Sequence, residues 1–91
     1  MKHLKLKISG QVQGVGFRWC SYEKFTELGL TGKAENSRDG GVEIDASGED
    51  FALEKFVEWA GVGPSGARVT NVEVVEVNDP ASTTVNEAPN S

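Results

Sequence analysis

The run Ser9-Gly10-Gln11-Val12-Gln13-Gly14-Val15-Gly16-Phe17-Arg18 restricts the fold of this chain more than any other stretch. Ahead of it, Leu4, Leu6, Ile8 and Val12 alternate with Lys5, Lys7, Ser9 and Gln11, and a period of two predicts a half-buried strand from His3 to Gln13. Behind it, Tyr22, Phe25 and Leu28 recur at three-residue steps, with Glu23 and Glu27 on other faces and Gly29 as a stop, which predicts an amphipathic helix from Trp19 to Leu28. A strand must therefore become a helix by way of Gly14 and Gly16. Glycine adopts positive φ at no steric cost and has no Cβ in a ligand's path, so successive peptide N–H groups can turn inward around an anion. The positive end of the helix points to the same spot, and the Arg18 guanidinium offers a planar fork that matches phosphate oxygens. On the residues alone two readings stand, an oxyanion cradle and a plain tight strand-to-helix turn.

Two nucleotide-binding motifs are excluded. The third glycine of a dinucleotide fingerprint would fall at Trp19, and no Gly-Lys-Ser/Thr follows the glycines as a phosphate-binding P-loop needs. Charge narrows the ligands further. Nine basic and fourteen acidic residues leave a net charge of −5, which argues against a nucleic-acid surface built from clustered Lys and Arg. An anionic ligand must then be drawn in by a local positive spot. No apolar run is long enough to span a membrane, and charges alternate near the N-terminus where a signal peptide needs an apolar block. The expected location is cytoplasmic, in keeping with a single cysteine that cannot form an internal disulfide. That cysteine, Cys20, sits in the first helical turn, where the helix N-terminus and the Arg18 guanidinium could make a thiol reactive; free cysteine is among the most buried residue types, and the inert reading is favoured.

Ninety-one residues suit one domain. Leu30 to Asn36 reads as a second strand, reversed by the turn residues Ser37-Arg38-Asp39-Gly40-Gly41 into a third that carries Val42, Ile44 and Ala46. Gly48 is expected to open a second helix with Leu53, Phe56, Val57 and Ala60 as its apolar stripe, extended by Trp59 and ended by Gly61 to Pro64. Val69 to Val77, rich in β-branched residues, reads as a fourth strand. The order β-α-β-β-α-β predicts an α+β fold, the ferredoxin-like split βαβ sandwich with two helices on one face of an antiparallel sheet. A right-handed crossover makes the second strand parallel to the first, so Asn36 and the glycine-rich turn finish at one end of the sheet. With the third strand between them, two spacings of about 4.8 Å separate their backbones, roughly 10 Å in all. The domain is expected to span 1–77. Residues 78–91 read as a polar tail, with Thr83-Thr84-Val85 as a weak edge strand at most.

The segment Gly10-Gln11-Val12-Gln13-Gly14-Val15-Gly16-Phe17-Arg18 resembles the signature of the acylphosphatase family. Leu28-Gly29-Leu30-Thr31-Gly32, Asn36 with Asp39-Gly40, and Gly63-Pro64 with Ala67-Arg68-Val69 resemble the later landmarks of that family in the same order. The likeness extends from residue 4 to about 77 and ends before the short closing strand usual in the family, since 78–91 lacks the aromatic and aliphatic pair that marks it.

The resemblance implies hydrolysis of carboxyl-phosphate mixed anhydrides, acyl phosphates, to carboxylate and inorganic phosphate. Arg18 and the backbone N–H groups of Gln13, Gly14, Val15, Gly16, Phe17 and Arg18 would hold the phosphate. Asn36, which on its own is ordinary chemistry for a residue before a turn, would orient the attacking water. No strong general base is required, because a carboxylate leaves without needing a proton and the phosphoryl transition state is loose; no cofactor and no metal are expected either. The only histidine, His3, is placed far from the cradle at the surface, and Glu23, Glu27, Glu35 and Asp39 are read as solvated charges without metal-ligand spacing. The expected partner is a small acyl phosphate, with inorganic phosphate or sulfate able to fill the same seat, no nucleic acid, no membrane, and a monomeric state. The alternatives are a non-catalytic phosphate- or anion-binding regulatory module and a carbamoyl-phosphate-processing domain. An RNA-binding sheet of the same topology would need strand aromatics and positive charge, where this chain has Val, Leu and Ile.

Overall fold

Alternation of apolar and charged side chains builds the central strand first. In the computed structural model, which describes residues 1–77, β1 (Lys2–Gln11) buries Leu6 and Ile8 completely while Lys5 and Lys7 fall on the opposite face. The tail 78–91, with its expected edge strand at Thr83-Thr84-Val85, lies outside the described residues. From β1 the chain continues through α1 (Phe17–Leu28), β2 (Thr31–Asn36), β3 (Val42–Gly48), α2 (Asp50–Ala60) and β4 (Arg68–Val77). The four strands lie in the order β2-β3-β1-β4, and each neighbouring pair is antiparallel. The split βαβ arrangement is thus present, with both helices over one face of the sheet.

The core lies between that face and the helices. Leu6, Ile8, Ala34, Val42, Ile44 and Ala46 of the strands meet Phe17 and Phe25 of α1 and Ala52, Leu53, Phe56 and Ala60 of α2, all buried. The helices are pinned to one another by two aromatic pairs, Phe25 with Phe56 at 5.0 Å between centroids and Phe17 with Trp59 at 5.3 Å, and within α2 Phe56 and Trp59 lie 5.5 Å apart. Phe56 is central to this stack, and truncating it to alanine should cost about 3–5 kcal/mol, a large part of the stability of so small a domain.

Several details differ from the sequence reading: α1 begins at Phe17 and not Trp19, β2 at Thr31 and not Leu30, and β4 at Arg68 and not Val69. β1 ends at Gln11, not Gln13, because Val12 turns into the core and Gln13 already belongs to the turn. Gly48 does not open the second helix: it closes β3, paired with Lys2, and α2 begins at Asp50. The packed stripe of α1 runs through Phe17, Ser21 and Phe25 and not through Tyr22, which is 43% exposed. Ser21 disguises this stripe. Its side chain is fully buried and its hydroxyl donates to the Phe17 carbonyl one turn earlier at 2.8 Å, so a polar residue is satisfied inside the core by its own helix. At the other end Gly29 caps α1 in the left-handed conformation, and the Leu30 N–H donates to the Phe25 carbonyl at 2.8 Å, as the sequence predicts.

Candidate active site

Gln13 to Gly16 form the turn between β1 and α1, with Gly14 at φ 77° and Gly16, the N-cap of α1, at φ 80°. Both angles are left-handed, and in each case a Cβ would meet no atom within 4 Å, so conformation and not space calls for glycine. The first helical hydrogen bond runs from the Cys20 N–H to the Gly16 carbonyl at 2.9 Å. Among the described residues, no backbone carbonyl or side chain accepts from the N–H groups of Gln13 to Trp19. A run of donors without partners therefore lies at the positive end of a helix, with no acidic residue in its first turn and no side-chain cap. Arg18 stands exposed on that turn without a carboxylate partner among the described residues. Beneath it Phe17 is fully buried against Trp59, and the loop after α2 closes over the ring so tightly that a Cβ at Gly63 would sit 2.7 Å from Phe17 Cε2. The cradle is soft in sequence but rests on a hard floor.

Asn36 is the last residue of β2. In the sheet register it lies opposite Val42, which in turn lies opposite Ile8, so β3 separates Asn36 from β1 by two strand spacings, about 10 Å. Strand alternation puts Asn36 on the same face as Ala34, the face that α1 covers. The expected sharing of one sheet end is thus what the topology delivers, and a side chain completes the link. The Gln13 carboxamide Nε2 donates to the Ser37 carbonyl and to the Gly41 carbonyl, each at 2.9 Å, and so spans from the cradle to the turn that follows Asn36.

The same turn is held from the other side by Asp39. Its carboxylate accepts from Lys7 Nζ at 2.7 Å, from the Ser37 hydroxyl and from the Gly41 N–H at 3.1 Å. The hydrogen bond from Lys7 comes first among the causes that hold the Asp39 carboxyl well below the usual carboxylate range, and the same bond raises Lys7 above its ordinary value. Asp39 is solvated, as expected from sequence, and it is also the organising residue of the hairpin turn. Two elements of this construction, the Gln13 side chain and the Lys7–Asp39 pair, escaped sequence reading. The only local signal was an Asx-type turn at Ser37-Arg38-Asp39-Gly40, which shows that Asp39 turns the chain and not that Lys7 reaches it.

The remaining candidates stand apart. His3 lies at the other end of β1, half-buried, and bonds to Asp45 at 3.2 Å and to the Ser47 hydroxyl at 2.9 Å. Cys20 is partly exposed, not buried as its composition suggested, and carries no disulfide. No group of three or more potential metal ligands occurs among the described residues, and no helix there is long and apolar enough to cross a membrane.

With donors, guanidinium and carboxamide gathered at one sheet end, comparison with known proteins becomes decisive. The acylphosphatase family model matches residues 4–86. The chain belongs to the acylphosphatase family. Among its curated relatives, the acylphosphatase of Caldanaerobacter subterraneus is 46% identical over 72 residues, covering 79% of this chain and 80% of that protein. Among solved structures, the Bacillus subtilis acylphosphatase superposes with a TM-score of 0.84 at 37% identity, over 87% of this chain and 88% of the other. Full-length HypF, solved in a phosphate- and nucleotide-bound form, contains a similar segment: TM-score 0.78 and 30% identity over 84% of this chain but only 10% of HypF. The acylphosphatase match thus extends along nearly the whole chain, and family membership at this identity and coverage gives it acylphosphatase function.

Proposed function

We propose that this acylphosphatase binds the phosphoryl group of its substrate in the Gln13–Arg18 ribbon and directs a water at phosphorus from Asn36. The observation that carries the reading is the ribbon itself, a run of N–H groups without acceptors at a helix start beside an exposed guanidinium. Arg18 donates to two phosphate oxygens, and the charge that spreads over them in the transition state strengthens both bonds. Asn36 accepts from the water and holds it on the side of phosphorus away from the acyl oxygen, so that alignment supplies much of the rate. The water oxygen bonds to phosphorus as the bond from phosphorus to the acyl oxygen breaks; the electron pair leaves with the carboxylate, and the water proton passes to solvent. Because that leaving group is stable unprotonated, neither a general acid nor a metal has a necessary task. Inorganic phosphate, the product, occupies the same seat and competes with substrate. We further read the protein as a cytoplasmic monomer, a setting that its single cysteine suits.

The test is an assay with benzoyl phosphate in excess EDTA. Wild type should turn over at an unreduced rate, and Arg18→Gln should lose almost all activity. Loss of wild-type activity under EDTA alone would remove the metal-free mechanism. A second reading, phosphate binding without turnover, draws on the likeness to the HypF segment seen in a phosphate-bound protein; it keeps the ribbon and Arg18 but gives Asn36 nothing to do.

A further inference from the structure

We infer that the Gln13 carboxamide is a positioning residue for the attacking water, acting through Asn36; the inference rests on the role given to Asn36 above. An amide nitrogen has two hydrogens, and here both are committed: one to the Ser37 carbonyl and one to the Gly41 carbonyl, each at 2.9 Å. These two carbonyls bracket the hairpin turn, and Ser37 is joined directly to Asn36. Gln13 itself is joined directly to Gly14. One side chain therefore fixes the distance between the phosphate seat and the residue that holds the water, two groups that the sheet alone relates only through an intervening strand.

The bonds are not needed to satisfy the turn. The Gly41 carbonyl already accepts from the Ser37 N–H at 2.9 Å, the Ser37 carbonyl from the Gly40 N–H at 3.2 Å, and Gln13 is an exposed residue. Water could replace the amide at both carbonyls with little loss of folding free energy. What water cannot replace is a covalent tether with fixed length. The Lys7–Asp39 pair does not substitute for it, because it ties the turn to the middle of β1 and leaves the cradle end free.

Steady-state kinetics on benzoyl phosphate, with inorganic phosphate as inhibitor, test this in wild type, Gln13→Leu, Gln13→Glu, Asn36→Ala and the Gln13→Leu/Asn36→Ala double variant. Gln13→Leu should lower kcat about tenfold to a hundredfold, the range expected when a reacting group shifts by a fraction of an ångström to an ångström, while the phosphate inhibition constant stays within about twofold. Gln13→Glu keeps the size of the side chain but has no hydrogen to donate when ionised, and should lose kcat to the same extent; it also carries the test if the leucine variant folds poorly. The double variant should be no slower than Asn36→Ala, because two residues that act as one unit are not additive. The proposal fails if the Gln13 variants keep wild-type kcat beside a slow Asn36→Ala, if they lose phosphate inhibition in proportion to kcat, or if the two losses multiply. An Asn36→Ala enzyme at wild-type rate would instead overturn the role of Asn36, and this inference with it.

Discussion

At Arg18 and Asn36 the division of labour predicts different kinetic signatures. On the proposed reading Arg18 faces the phosphate in ground state and transition state alike, and its fork geometry cannot be reproduced by a single ammonium point charge. Arg18→Lys should therefore keep part of the binding but lower kcat/KM about tenfold to a hundredfold, the worth of one charged hydrogen bond of about 1.5–3 kcal/mol; parallel measurement of KM and phosphate inhibition checks it. Asn36, on the same proposal, touches only the water. Asn36→Ala should abolish turnover while phosphate binding, followed by calorimetry or competitive inhibition, stays nearly intact. If both are lost together, Asn36 supports the end of β2 and does not aim the water. The contrast depends on Gly14 and Gly16, whose left-handed conformations shape the turn that carries these donors; an alanine at Gly16 meets no neighbour, so its cost would be conformational, about 1–2 kcal/mol.

Between elements, α1 does more than present Arg18. The Tyr22 hydroxyl accepts from the Ala34 N–H at 3.1 Å, and Ala34 belongs to β2, an edge strand of the sheet among the described residues. An edge N–H without a partner invites pairing with another chain, and here the helix covers it. Tyr22→Phe keeps the edge-on contact with Phe25, whose ring centroid is 5.5 Å away, and removes only the hydrogen bond. It should cost about 0.5–1.5 kcal/mol in denaturant unfolding and speed hydrogen exchange at the Ala34 amide above all others in β2. This brace also shows where sequence reading stops. The period of Leu4, Leu6 and Ile8, the stop at Gly29 and the stripe of α2 are local patterns, so elements, their order and the shared end of β1 and β2 could be read directly. Tyr22 looked like core because it shares a three-residue step with Phe25, and the true stripe was hidden by Ser21, whose hydroxyl is satisfied by its own helix. Likewise Arg18 could be singled out as a candidate from the glycine-rich motif and Asn36 from the family resemblance, but the Gln13 and Asp39 contacts span 24 and 32 residues in sequence and depend on side-chain reach that no pattern encodes.

For the molecule as a whole, the candidate site is assembled from the two ends of the crossover, and its integrity depends on how firmly the hairpin turn is bound to β1. The Lys7–Asp39 pair provides the pH-sensitive part of that attachment. Asp39 is held below its ordinary value of 3.8, first by the hydrogen bond from Lys7, so its contribution to stability is complete above 3.8 and drains away as pH falls from there through the lower folded value. Lys7 is raised above its ordinary 10.5, so its contribution is complete below 10.5 and is lost as pH climbs through the higher folded value. The attachment is therefore whole from weakly acid to weakly alkaline conditions, and both losses lie outside the range in which acyl phosphate hydrolysis would be followed. Asp39→Asn removes the charge while leaving an oxygen for the Ser37 hydroxyl and the Gly41 N–H. In urea unfolding series at several pH values, wild type should exceed this variant by a constant margin around neutrality, and the margin should shrink once the pH drops below 3.8 and again above 10.5. High salt should narrow it at neutral pH as well, because both side chains are reached by solvent. A margin that stays level from neutral into acid would mean that the hydrogen bonds within the turn, and not the ion pair to β1, hold the Asn36 end of the sheet in place.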